Sequence, residues 1–503
     1  MLAAGPASAA SFPPAADSHV RGDYPDGNWG TSSSLRVDGS PSSTAYLRFS
    51  VDGVDGPIRA ATLKVFAKRT VTPSGVDLRP VLGDWSEAGL TYRNAPAVGG
   101  VIGHAGAAEE GQWVSIDATP LVKGNGRVDL ALTTKSETAR RFASREEDDQ
   151  YAPRLVVDTM SDPGPRPEYR GAQTHPLWGR SEEGFIRELD RLKEAGADTV
   201  RFDIGWASLE REGDDDYSST YIAKADAVFE AAAARGIKVI TTFWSTPCWA
   251  SSAPDTLKQD CSGAWWNRDV QKYPPSDPGE YSEAAAFVAN RWGDKMAAFE
   301  VWNEPDEANQ SFLVSPNPAY DYAQIVKSAY RPLKDARPTL PVIVGSTTFS
   351  NRVFLERLYD YGIQPYHDGI SMHPYNERRD PDLHAEPESV EWSYRDGVPW
   401  IRDLMVERGD ADKGLWLTEL GWTSCNDYTS KFCVTESQQA EYVNDAFRIQ
   451  REDRWDYVKA MIGYNLRNKG TDPGDREDQY GLLRRDFTPK PSWSYFTDAL
   501  ARW

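Results

Sequence analysis

The chain has 503 residues, 40% of them hydrophobic and 26% charged, so it buries sizeable cores and is neither wholly disordered nor fibrous. Its formal charge of −20 argues against nucleic acid, which is gripped through Lys and Arg, and against a polybasic membrane anchor. No run approaches the roughly 20 apolar residues of a membrane-spanning helix.

Residues 1–16 are rich in small side chains, and Ala7-Ser8-Ala9 fits a signal-peptide cleavage pattern. They read as a leader remnant or a disordered terminus. Residues 17–158 carry short apolar alternations at 46–51, 61–67, 76–81, 113–116, 128–132 and 154–158. Turn residues such as Asp52-Gly53 and Gly124-Asn125-Gly126 separate them. Period-two runs at this spacing predict a β-sandwich. Residues 159–168 hold three prolines and a glycine, which predicts an exposed linker.

Residues 169–503 alternate differently. Eight apolar strand candidates lie at 171–174, 199–203, 238–243, 298–302, 342–346, 369–373, 415–419 and 458–464. Amphipathic stretches separate them, for instance 181–195, 221–235, 281–292, 320–335, 398–408 and 436–452. Eight βα units in this length predict a (β/α)8 barrel. The expected architecture is therefore multidomain: an N-terminal β-sandwich followed by a TIM barrel.

Barrel chemistry sits at the C-terminal ends of strands. Those ends carry Arg201, Asp203 and Trp206; Trp244; Trp302-Asn303-Glu304-Pro305; His373-Pro374-Tyr375; Glu419 and Trp422; and Tyr464. Two glutamates facing one mouth are the minimum equipment for glycoside hydrolysis: one protonates the leaving oxygen, the other attacks the anomeric carbon. Arg201, His373 and Tyr375 are candidates to keep the nucleophile ionised, and Asn303 to hold a sugar 2-hydroxyl. Trp206, Trp244, Trp422 and Tyr464 are candidate stacking walls for sugar rings. Structural readings compete: a satisfied histidine at 373, an Arg201–Asp203 ion pair, and tryptophans that only pack.

The run Trp302-Asn303-Glu304-Pro305 resembles the acid/base signature of the large clan of retaining glycoside hydrolases with (β/α)8 barrels. Leu417-Thr418-Glu419-Leu420-Gly421-Trp422 resembles its nucleophile strand. Ser371-Met372-His373-Pro374-Tyr375 resembles family 39 and related exopolysaccharide hydrolases. The resemblance implies Glu304 as acid/base, Glu419 as nucleophile and no cofactor. Asp17-Ser18-His19-Val20, Asn28-Trp29-Gly30, Trp85-Ser86-Glu87 and Ser144-Arg145-Glu146 resemble the DNRLRE-type sandwich, which is similar to family 96 carbohydrate-binding modules.

The four cysteines allow three pairings. In a secreted protein the local pairs Cys248–Cys261 and Cys425–Cys433 are expected as disulfides, and the absence of ligand spacing argues against a zinc site. Acidic loops at 146–149 and 214–216 are candidate calcium ligands, with solvated loops the simpler reading. The leading expectation is a secreted, monomeric retaining hydrolase that cleaves polysaccharide internally, with no nucleic-acid or membrane partner. The alternatives are an exo-acting β-xylosidase-like or uronidase-like hydrolase, and a carbohydrate-binding adhesin with an inactive barrel. The overall charge disfavours strongly anionic substrates unless the cleft reverses it locally.

Overall fold

The computed structural model describes residues 10–54, 58–69, 75–159, 165–178, 181–306, 312–427 and 429–501. Ala7-Ser8-Ala9 and residues 160–164 of the proline-rich segment lie outside them. The chain divides into two compact units near residue 165.

The first unit contains β1 (Ala10–Phe12), β2 (Pro14–Arg21), β3 (Ser34–Gly39), β4 (Ser42–Val51), β5 (Ile58–Phe66) and β6 (Val76–Pro80). It continues with β7 (Gly103–Ala105), β8 (Trp113–Asp117), β9 (Gly126–Thr133), β10 (Arg140–Ala143) and β11 (Arg154–Thr159). They form one sheet in the order β1-β11-β5-β8 and a second in the order β10-β3-β4-β9-β6-β7, with β2 also pairing β4. Every pairing within the two sheets is antiparallel.

Alternation on β4 shows why the sandwich forms. Ala45, Leu47, Phe49 and Val51 point into one core with Leu63, Val65, Leu130, Leu132, Leu155 and Val157. Each fully buried side chain of this kind is worth ~1.5–3 kcal/mol. Tyr46, on the opposite face of β4, packs with Val20, Trp85 and Leu90 in a smaller cluster. Residues 10–16, expected as a leader remnant or disordered terminus, are instead part of this unit. Ala10–Phe12 pairs with Leu155–Val157, and Pro14 begins the strand against β4. Their alanines and two prolines show no period-two alternation, which hides strands whose backbone groups are nonetheless paired.

The second unit is a closed parallel barrel, β12-β13-β14-β15-β16-β17-β18-β19. The strands are β12 (Tyr169–Gln173), β13 (Thr199–Gly205), β14 (Lys238–Trp244) and β15 (Met296–Val301), then β16 (Val342–Thr348), β17 (Gly369–His373), β18 (Gly414–Leu420) and β19 (Val458–Gly463). Helices cover the outward face of the strands and packed side chains fill the inside, which is why most strands read as continuous buried runs.

The helix Glu182–Glu194 shows the local logic. Ser181 caps it by accepting from the Gly184 N–H. Phe185, Glu188, Leu189 and Leu192 form its buried stripe. Sequence periodicity did not single out the helices Arg352–Asp360 and Pro491–Ala501. Among the described residues no helix is long and apolar enough to cross a membrane.

Candidate active site

The C-terminal mouth of the barrel opens into a cavity of about 730 Å³. Glu304, Glu419, Asn303, Tyr375, Trp244 and Tyr464 all line it.

Glu304 follows β15 on a turn held from several sides. Trp302 is fully buried, and its indole N–H donates to the Phe312 carbonyl at 2.9 Å. The Glu304 N–H donates to the Ser346 carbonyl at 3.1 Å. Asp306 accepts from the Thr348 N–H at 3.0 Å and from Asn351 Nδ2 at 2.7 Å. These anchors sustain left-handed backbone at Trp302 (φ 67°) and Glu304 (φ 40°), a conformation that costs about 1–3 kcal/mol per residue and collects at functional sites.

Glu419 lies on β18 and is nearly enclosed. Tyr375 donates its hydroxyl to Oε2 at 2.7 Å, and Arg201 Nη1 donates to Oε1. His373 Nδ1 stands 2.8 Å from Glu304 Oε1 and 3.7 Å from Glu419 Oε2. An oxygen of each glutamate lies within 4.8 Å of the other. Ser346 Oγ meets the remaining ring nitrogen of His373 at 3.1 Å.

Arg201 is completely buried. The structure replaces the simple Arg201–Asp203 pair with a network. Arg201 Nη2 pairs with Glu300 Oε2 at 2.6 Å and donates to Asn303 Oδ1 at 3.0 Å, while Nη1 also donates to Gln173. Glu300 accepts in addition from Thr242 and Thr418, each at 2.7 Å. It is a third carboxylate beneath the site that motif reading missed; its signal is an ionisable residue inside an otherwise apolar buried strand. Arg201 and His373 therefore stand behind the two glutamates and do not line the cavity. From there they reach the two glutamates, where groups that keep Glu419 ionised are expected.

The electrostatics separate the two glutamates. Burial raises the Glu304 pKa, and the neighbouring Glu419 charge adds to the rise. Burial opposes ionisation of Glu419 too, but His373 and Arg201 outweigh it and hold its pKa below the ordinary value. His373 is raised: burial alone would lower it, but the charges of Glu419 and Glu304 prevail. One carboxylate thus keeps its proton where its neighbour stays ionised, the division of labour that acid–base pairs need.

Two predicted stacking walls are corrected. Trp206 is fully buried. It packs against Tyr281, Phe243 and Trp249 and donates to Glu210 at 2.6 Å. The short helix Trp206–Leu209 that follows β13 turns the side chain into the shell between strand and helices. Trp422 is also buried and packs edge-on against Tyr442, away from the mouth.

Trp244 lines the cavity, stacked on Trp178 with ring centroids 5.9 Å apart and planes 15° apart. Trp178, 51% exposed, was missed, although it follows β12 much as Trp206 follows β13. Phe312, Phe349, Trp392, Phe432 and Tyr480 add to the aromatic lining. Both disulfides form, Cys248–Cys261 and Cys425–Cys433. The second pins the loop that brings Lys431 and Phe432 to the cavity.

Comparison with known proteins agrees with this geometry. Residues 160–461 match the family model described as cellulase, glycosyl hydrolase family 5. The chain belongs to the family 5 glycosyl hydrolases. This makes the protein a glycoside hydrolase and sets aside the inactive adhesin. Residues 8–159 of the hydrolase match carbohydrate-binding module family 96.

Among solved structures, the hydrolase resembles a family 39 glycoside hydrolase from the gut symbiont Bacteroides cellulosilyticus WH2. The identity is 19% and the TM-score 0.53, over 90% of this chain and 79% of that one. That likeness shows the fold. The GH39 enzyme from Xanthomonas axonopodis pv. citri matches at 18% identity and TM-score 0.47, over 66% and 67% of the two chains. A monomeric β-xylosidase from Caulobacter crescentus CB15 matches at 19% and 0.46, over 66% and 68%. No curated protein matches the hydrolase significantly.

Proposed function

We propose that the hydrolase cleaves a polysaccharide internally, outside the cell, with retention of configuration. The observation that carries the mechanism is the carboxylate spacing. An oxygen of Glu304 and one of Glu419 lie no more than 4.8 Å apart, which suits the close pair of a retaining enzyme (~5–5.5 Å between carboxyl groups) better than the ~6.5–9.5 Å that leaves room for an inverting water.

Glu304 gives its proton to the glycosidic oxygen as Glu419 attacks the anomeric carbon. The bond to the leaving sugar breaks and a glycosyl ester on Glu419 forms. Glu304, now ionised, takes a proton from water. The resulting hydroxyl attacks the same carbon, the ester bond breaks and Glu419 leaves as carboxylate. Arg201 and Tyr375 hold Glu419 in its attacking orientation. Asn303, fixed through Oδ1 by Arg201, presents its amide N–H to the sugar 2-hydroxyl.

Internal cleavage is supported by aromatic rings on several sides of an open cavity, which suit consecutive sugar units better than one terminal unit. Secretion is supported by the two disulfides and by the carbohydrate-binding module. The test is product sizing on a polysaccharide panel, with Glu419→Ala as control. Oligosaccharide products absent from the variant are expected, with the β- or α-anomer of the substrate retained by NMR. Monosaccharides alone would replace internal with terminal cleavage. Full activity in Glu419→Ala would refute its role as nucleophile.

A further inference from the structure

The chain carries a net charge of −20, yet one wall of its cleft is cationic. Lys431, Lys469, Arg476 and Arg485 all line the cavity. Lys431 lies in the loop after β18, and the other three lie after β19. In the closed strand order these loops stand across the mouth from those after β14 and β15. The opposite side supplies Trp244 and Phe312, which are uncharged.

Carboxylates offset this wall only in part. Glu477 is the single acidic lining residue in the same loops, and it is shared at 3.5 Å from Lys469 and 3.3 Å from Arg476. Lys431 pairs at 2.6 Å with Glu377 but remains 58% exposed. Arg485 is exposed and has no ion pair among the described residues. Its charge is felt nearby: Arg467 is pushed down to about 10 by burial and then by the charges of Arg485 and Arg187.

A neutral glycan needs none of these cations. Its hydroxyls are served equally by uncharged donors and by acids, and like charges facing one cleft repel. A sugar bearing an acidic group would relieve that repulsion, and the planar fork of arginine matches carboxylate and sulfate oxygens. Building on the glycoside hydrolase reading above, we propose that the substrate is an acidic glycan. Its carboxylate or sulfate groups face the Lys431–Lys469–Arg476–Arg485 wall, and its apolar ring faces lie on the Trp244 side.

The test is calorimetric titration of full-length Glu419→Ala protein, which holds substrate without turning it over. The ligands are gluco-, manno- and galacturonate oligosaccharides, the same oligosaccharides after carboxyl reduction, and sulfated galactan oligosaccharides with their desulfated forms. At least one acidic ligand should bind at least about ten-fold more tightly than its neutral counterpart at low salt. That preference should collapse at about 0.5 M salt, where the screening length falls to a few ångströms. It should also collapse when Lys469→Met, Arg476→Gln and Arg485→Gln are combined, which assigns it to the cleft and not to the N-terminal module.

Lys431→Glu, a single change at an exposed position, should weaken acidic binding in the same direction if the triple variant folds poorly. Whether uronate or sulfate wins names the acidic group. Equal affinity for acidic and neutral ligands, or a preference that survives the wall variants, overturns the proposal. Glu419-dependent cleavage of a neutral glycan alongside equal affinities would overturn it while leaving the hydrolase mechanism standing. Wall-dependent acidic binding by a wild-type protein that cleaves nothing would do the reverse.

Discussion

Two glutamates in one barrel mouth differ because their neighbours differ. Glu304 keeps its proton because it is buried beside Glu419; Glu419 loses its proton because His373, Arg201 and Tyr375 surround it. A carboxyl with a raised pKa beside one with a lowered pKa defines a working window between them. We therefore expect a bell-shaped pH dependence of kcat/KM. The acidic limb falls below the ordinary glutamate pKa as Glu419 takes a proton, and the alkaline limb lies above it as Glu304 loses one. In Glu304→Gln the alkaline limb should vanish while an activated dinitrophenyl glycoside is still attacked. An unchanged alkaline limb in that variant would assign the limb to another group.

The tryptophans supply a second contrast at this scale. Trp206→Ala should cost about 3–5 kcal/mol of folding stability, as for other buried large aromatics, because the ring is enclosed by Tyr281, Phe243 and Trp249. Trp178→Ala should leave the melting temperature nearly unchanged and raise KM several-fold, the effect of losing about 1 kcal/mol or more of ring contact. Thermal melts and kinetics on one oligosaccharide separate the two. A KM effect in Trp206→Ala without loss of stability would restore it as a subsite wall.

At the scale of elements, strands are legible where they are buried on both sides. Most of the barrel strands are largely apolar runs, because helices outside and packed side chains inside leave little polar face. Sandwich strands such as β4 are legible through alternation. Strands β1, β2, β3, β7 and β10 escape because each gives too few apolar side chains to make a pattern, such as Leu35 and Val37 of β3 and Phe142 of β10, while their backbones are paired in the sheets. Residues after strand ends are harder still. A side chain there enters the mouth or the outer shell according to the next turn of backbone, and the helix Trp206–Leu209 makes that choice for Trp206.

The cross-linked loop after β18 gives the element-scale prediction. Cys425–Cys433 spans 8 residues, and closing so short a loop restricts the unfolded chain by about 2–3 kcal/mol in the chain-entropy account. The double Cys425→Ser and Cys433→Ser variant should unfold at lower denaturant by about that amount. Its KM should rise as well, since Lys431 and Phe432 lie inside the closed loop and line the cleft. Denaturant titration with steady-state kinetics reads both, and an unchanged KM would exclude the loop from substrate binding.

At the scale of the whole molecule, each unit has a hydrophobic core of its own, with Leu47 and Phe49 in one and Ile240 and Ile343 in the other. Removing residues 1–159 should therefore leave hydrolysis of a soluble aryl glycoside within about two-fold, and lower the rate on dilute polymer by ten-fold or more, the scale at which a second binding site raises local concentration. Equal losses on both substrates would show that the first unit serves the barrel and not the polymer.

The sequence by itself determined the order of layers, the sandwich followed by the barrel, because periodicity reports which faces are buried. It also determined the glutamate pair, because Asn303-Glu304-Pro305 and Glu419 fall at strand ends whose spacing is local. Tertiary structure alone decided what surrounds them. Glu300 beneath Arg201 and Trp178 against Trp244 come from segments far apart in the chain, and Lys431 joins Lys469, Arg476 and Arg485 from a separate loop. Side chains from such segments meet only when the barrel closes, and no local pattern records which of them will face one another.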